Sequence, residues 1–300
     1  MIDADRRLPQ GDEIFLDHVG HFVREPGAAS QALARAGFAP TPVSVQVDPA
    51  GAPTGTGNVT AMLDRGYIEV LFKTADTALG REFEAALTGH MGVHLAAFSV
   101  ADAEKALARL GRAGFRTRPL VQFQRPVGTE TGSGVAAFTV ARVERGELTE
   151  GRIQILTHRT EDTVWQKRWL DHPNGAVGLL DLAIAVADVS EAQERFARFL
   201  DRASVSNRFG PAVILNRGRV QLMSASVFAE LLPEAGIPSL PFMGAYGVAV
   251  RSLAVTETRL REGALAKRRL GNALVVRFPD ELGAGAWLFV ERAADLPWRA

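Results

Sequence analysis

The chain has 300 residues, 47% hydrophobic and 23% charged, which allows one large globular domain or two ordinary ones. Its 34 basic and 34 acidic side chains cancel, and no apolar run approaches the ~20 residues that cross a bilayer, so neither nucleic acid nor a membrane is expected as partner. Cysteine is absent, which removes disulfides and thiolate ligands, and no apolar leader follows Arg6 and Arg7, so a cytoplasmic protein is expected.

In chain order, one pattern recurs four times: a short apolar strand, a helix, then more strands. The first unit opens at Ile14–Val23, continues with a helix over 28–36 closed by Gly37, and predicts strands near 41–47, 59–63 and 67–72. The second opens at Gly92–Val100, with a helix over 101–113 ending at Gly114 and strands near 119–124, 135–143 and 152–157. The third opens at Leu179–Val186, with a helix from Ser190, a good N-cap residue, to Leu200. The fourth opens at Gly244–Val250, with a helix near Thr256–Arg261. Half-sheets of this size must pair to bury their faces, so an α+β protein of four βαβββ modules in two domains is expected. The expected layout is an N-terminal extension (1–13), a first domain (14–160), a linker (161–176) and a second domain (177–300). In the linker, Trp165 and Trp169 are read as packing anchors between the domains.

The run Leu16-Asp-His-Val-Gly20, the strand Gly66-Tyr-Ile-Glu-Val-Leu71, the opening Gly92-Val-His-Leu95 and the strand Gly151-Arg-Ile-Gln-Ile-Leu156 follow one another in order. In this order they resemble the glyoxalase, bleomycin-resistance and extradiol-dioxygenase proteins of the vicinal-oxygen-chelate superfamily, and the stretch Trp165–Ala176 resembles its glyoxalase-like domain branch. The resemblance covers residues 14–176 well and the remainder mainly in element order. It implies cupped mixed sheets in which the first and last strand of each module offer one metal ligand. Carried over by position, those are His18, Glu69, His94 and Gln154, with Glu69 also a candidate general base. Glutamine departs from the commoner pattern of two histidines and two carboxylates.

Strand alternation agrees for His18, which shares a face with Leu16, Gly20 and Phe22, and puts His21 on the other. Glu69 stands in the apolar run Ile68–Leu71, where an unpaired charge is costly; a metal, Arg142 or Arg152 would relieve it. Two imidazoles and one carboxylate suit a divalent ion: iron, manganese, nickel, cobalt or zinc. Such an ion would act as Lewis acid on a small oxygenated substrate. Gln122, Gln124 and Arg125 are further cup candidates, His158 is read as a surface residue at a strand end, and His90 and His172 as loop residues. In the second domain Leu182 and Gln221 are taken to match His18 and Glu69, leaving that half metal-free. Loops 48–57 and 128–134 are glycine-rich but precede no helix, so neither is a phosphate loop. The leading expectation is a metal-dependent lyase, isomerase or dioxygenase; the alternative is a metal-free protein that sequesters a small molecule. A homodimer is compatible with either.

Overall fold

The computed structural model describes residues 6–48 and 50–299. The first five residues, on which the leader reading rests, Pro49 of the first glycine-rich loop, and Ala300 lie outside them. The first module comprises β1 (Ile14–Phe22), α1 (Pro26–Arg35), β2 (Ser44–Val47), β3 (Pro53–Met62) and β4 (Tyr67–Lys73). Helix α2 (Ala78–Leu87) leads to the second, β5 (Gly92–Val100), α3 (Ala103–Arg112), β6 (Val121–Thr129), β7 (Gly132–Arg142) and β8 (Arg152–His158). A short α4 (Glu161–Val164) precedes the third, β9 (Ala176–Val186), α5 (Val189–Leu200), β10 (Ser204–Asn207), β11 (Gly210–Ile214) and β12 (Arg219–Ser224). Helix α6 (Ala225–Leu231) leads to the fourth, β13 (Phe242–Val250), α7 (Leu253–Glu262), β14 (Arg268–Leu270), β15 (Ala273–Arg277) and β16 (Ala286–Val290). The fold is α+β, with four βαβββ modules in two pairs.

Within each module the opening and closing strands lie side by side and parallel, as β1 with β4 and β5 with β8. Strands β1 and β5 pair antiparallel and join the two halves of the first cup. On the far side a single paired position, Val47 with Gln124, links β2 to β6 and closes an eight-stranded ring. The second pair is joined through β9 and β13, and among the described residues no ladder links β10 to β14. Its concave side is filled from within the chain instead: Phe228 of α6, Leu296 and Trp298 pack against Ala183, Ala245 and Leu288. The convex sides of both pairs, with α1, α3, α5 and α7, share one continuous apolar core.

Several local expectations change. The cap of α5 is Asp188, which accepts from the amides of Ser190 and Glu191, so the helix begins earlier than Ser190 implied. Two connecting helices, α2 and α6, fall outside the repeat and were not expected. Residues 128–134 are mostly hairpin, since β6 and β7 pair in register as far as Thr129 with Gly132. Trp165 donates to the Leu63 carbonyl at 3.0 Å and packs on Tyr67 and His158, so it fastens the linker to the first pair and does not bridge the domains. His172 lies in a loop, as expected, and is buried there: Nδ1 accepts from the Ala39 amide and Nε2–H donates to the Met62 carbonyl.

Candidate functional site

A glycine before each closing strand fixes the register of all four modules. At Gly66, Gly151, Gly218 and Gly285 an added Cβ would lie 2.6, 2.5, 2.6 and 2.7 Å from the carbonyl oxygens of Asp17, His94, Leu180 and Gly244 respectively. These four opening-strand residues are therefore equivalent. The next residue is the one that faces the cup: His18, Leu95, Asp181 and Ala245. Three residues after each glycine come the closing-strand positions Glu69, Gln154, Gln221 and Leu288. His18, Glu69 and Gln154 accordingly line one cavity together with Leu95. His94 does not. It lies one residue out of step, so its side chain leaves the cup and sits against His90, whose carbonyl is 2.9 Å from its Nε2. The third-module counterpart of His18 is Asp181, not Leu182.

The first cup holds a chain of buried polar groups. β1 carries a bulge between Leu16 and His18, which makes Asp17 an extra residue on that strand. A bulge re-aims side chains. Here the Asp17 carboxylate comes alongside the ring of its own neighbour: Oδ1 accepts from His18 Nδ1 at 2.7 Å and Oδ2 from His158 Nε2 at 2.8 Å. Both histidines thereby present a defined tautomer. Burial alone would raise the Asp17 pKa, but the two imidazoles, His158 foremost, hold it well below the usual carboxylate range. His18 stacks on Tyr67 with ring centres 4.3 Å apart, leaving Nε2 facing Glu69 Oε2 at 3.6 Å. Asn58 Nδ2 donates to the other Glu69 oxygen at 2.6 Å. His158, expected on the surface, is buried between Phe138 and Trp165.

The remaining wall is cationic. Arg125, Arg142 and Arg152 line the same cavity, and among the described residues no carboxylate lies within ion-pair distance of Arg125 or Arg142. Arg142 Nε donates to Gln154 Oε1 at 3.1 Å and its guanidinium lies over Phe123. Arg142 is pushed down to about 9, by burial first and then by neighbouring Arg152 and Arg118. Of the polar residues flagged in the hairpin, Gln124 and Arg125 reach the cup.

The donor set does not match the two-histidine, one-carboxylate centre that the resemblance implied. Leu95 occupies the second histidine position, and the amide oxygen at the fourth is already held by a guanidinium. Among the described residues no group of three or more histidine, cysteine or acidic side chains is placed to hold an ion. The three guanidinium groups of the wall would also repel a dication beside them. The second cup is further from such a centre. Arg299 and the Trp298 indole N–H (2.9 Å) both bind the Asp181 carboxylate, and Gln221 bonds to Asn207 and to nearby carbonyls.

Asp17 escapes a sequence reading because strict alternation turns it away from His18, whereas His158 shares a face with Gln154 but reads as a surface residue because it ends its strand. The Asp-His dipeptide was the one available signal, since neighbours on a strand meet only across a bulge.

Comparison with known proteins agrees with the fold. The family model of the glyoxalase-like domain matches residues 16–200. No curated protein matches. A hypothetical protein from Staphylococcus aureus superposes with a TM-score of 0.65 at 10% identity, covering 92% of this chain and 98% of that one. A variant of 4-hydroxymandelate synthase from Streptomyces coelicolor gives 0.58 at 14%, covering 92% of each chain. A fusion of a xylose isomerase-like TIM barrel with 4-hydroxyphenylpyruvate dioxygenase gives 0.55 at 12%, covering 95% of this chain and 50% of the fusion. These likenesses concern the fold. With more than half its length matched by the family model, the chain belongs to the glyoxalase-like domain family.

Proposed function

We propose that the first cup binds a small oxygenated organic acid and that His18 and Glu69 carry out acid–base chemistry on it without a fixed metal ion. The observation that carries this reading is the buried Asp17–His18 pair, whose free Nε2 faces Glu69 inside a wall of arginines. A carboxylate that orients an imidazole and stabilises its protonated form is the arrangement of a general base. Arg125 supplies a charge for a substrate carboxylate. Asn58 Oδ1 is buried without a partner, which suits a ligand hydroxyl. The cavity, about 50 Å³, has room for roughly three or four water-sized groups, so the reacting end of the ligand is small. Two structural neighbours are named for a hydroxy acid and a keto acid, the same chemical class.

In this reading His18 Nε2 takes a proton from the carbon beside a carbonyl. The electron pair moves onto the carbonyl oxygen, where a guanidinium stabilises the enolate, and His18 or Glu69 returns a proton. The test is to add short hydroxy and keto acids to untagged protein, follow thermal stabilisation, and record solvent deuterium entering the substrate by NMR. Wild type should bind and exchange. His18→Gln and Glu69→Gln should bind but lose about a hundredfold or more of the exchange rate. Stabilisation without exchange would favour a sequestering protein. Stoichiometric iron, manganese, nickel, cobalt or zinc in wild type, lost in Glu69→Gln, would overturn the metal-free reading.

A further inference from the structure

A second cavity, about 300 Å³, lies next to the cup and shares Arg142 and Arg152 with it. That size is within the range of small-ligand sites. Its wall adds Arg118 and Arg145, so four guanidinium groups face two carboxylates, Glu82 and Glu144. The pairing is loose as well as unbalanced. Glu82 stands 3.3 Å from Arg145, 3.7 Å from Arg118 and 4.0 Å from Arg152, and Glu144 stands 3.9 Å from Arg118. Arg152 is the more confined, with 15% of its side chain exposed, and packs over Phe22. A partly buried cluster with two more cations than anions is unfavourable unless a dianion joins it. Planar guanidinium forks are also the groups that recognise phosphoryl oxygens in pairs.

We propose that this cavity is the subsite for a phosphoryl group carried by the same small molecule whose reacting end lies in the cup. The inference rests on the cup reading above and narrows the ligand to a phosphorylated acid. Arg142 and Arg152 form the partition, so the phosphoryl group and the reacting carbon would lie on either side of their guanidinium groups.

The experiment is calorimetric titration of inorganic phosphate into the full chain at low ionic strength, with acetate as the singly charged control. Wild type should take up one phosphate per chain and bind acetate more weakly. The Arg118→Gln, Arg145→Gln double variant should weaken phosphate by about tenfold or more. Glu82→Gln removes the competing carboxylate and should tighten phosphate by about threefold. The Arg145 and Arg118 side chains are 66% and 36% exposed, so their replacement does not disturb the core. His18→Gln should leave phosphate binding within about twofold, which keeps this test separate from the exchange experiment. No saturable phosphate binding, a Glu82→Gln protein that binds no tighter, or a His18→Gln protein that loses the ion would each overturn the subsite.

Discussion

Asp17 is fully buried between two imidazoles, and both of its oxygens are taken. Replacing it with Asn swaps an acceptor for an N–H donor that faces the N–H of one histidine. A buried polar group left facing the wrong partner costs about 1–3 kcal/mol, and more where a charge was paired. Asp17→Asn should therefore lower unfolding free energy by about 2–4 kcal/mol at neutral pH. The sign with pH follows from the depressed pKa. A carboxylate held below its unfolded value contributes stability above about pH 4 and loses it as pH falls further. The variant should thus show a shallower loss of stability below pH 4 than wild type in urea titrations; an unchanged slope would mean that the imidazoles do not sense this carboxylate. The same residue shows where sequence stops informing on the site. His18 and Glu69 were legible because the runs Leu16–Gly20 and Gly66–Leu71 that carry the family resemblance survive in the sequence, and alternation agrees for His18. His94 was misassigned, because a bulge in β1 shifts the count between opening strands by one and passes the cup position to Leu95.

At the scale of elements, β1 and β13 come from different pairs and are tied by a buried polar bridge. Trp287 Nε1 donates to Tyr246 Oη at 2.6 Å, the Tyr246 hydroxyl donates to His21 Nε2 at 2.8 Å, and His21 Nδ1–H donates to the Leu282 carbonyl at 3.0 Å. Each group has one role, and the chain requires neutral His21. Burial pushes His21 down to about 4, against the pull of the Leu282 carbonyl. In the unfolded chain histidine titrates near 6.5. Between those values the unfolded state binds the extra proton, so stability is constant above about pH 6.5 and falls as pH drops toward 4, by on the order of 3 kcal/mol from this group. Tyr246→Phe should cost about 1–3 kcal/mol at pH 7 by leaving the indole N–H and the imidazole nitrogen unpaired. His21→Gln should flatten the pH 4–6.5 dependence measured by thermal unfolding. Either protein behaving as wild type would show that the bridge contributes nothing net. The βαβββ order that places these strands was readable from strand and helix periodicity. Helices α2 and α6 were not, because they lie between modules and have no counterpart in the repeat.

For the whole molecule, the two pairs solve one problem in different ways. A cupped sheet with an open concave face leaves apolar surface and strand edges in water. The first pair closes its ring through Val47 and Gln124 and keeps a cavity with polar groups among apolar walls. This closure depends on a long-range contact that no local pattern announces. The second pair leaves its ring unpaired at β10 and β14 among the described residues, and fills the cup with Phe228, Leu296 and Trp298. Trp298 is 1% exposed and donates to Asp181, the position where the first cup has His18. The chain's own indole and guanidinium thus fill the second cup at the position where the first cup has an open cavity beside His18. Trp298→Ala removes both the packing and the N–H while Arg299 still neutralises Asp181. The expected cost is about 3–5 kcal/mol, set by the cavity left behind. Indole at millimolar concentration should restore part of that stability in Trp298→Ala and leave wild type unmoved, because only the variant has a vacant site for it to stabilise. If the variant unfolds at the wild-type denaturant midpoint, the second cup does not depend on this plug, and the division of labour between the halves must have another origin.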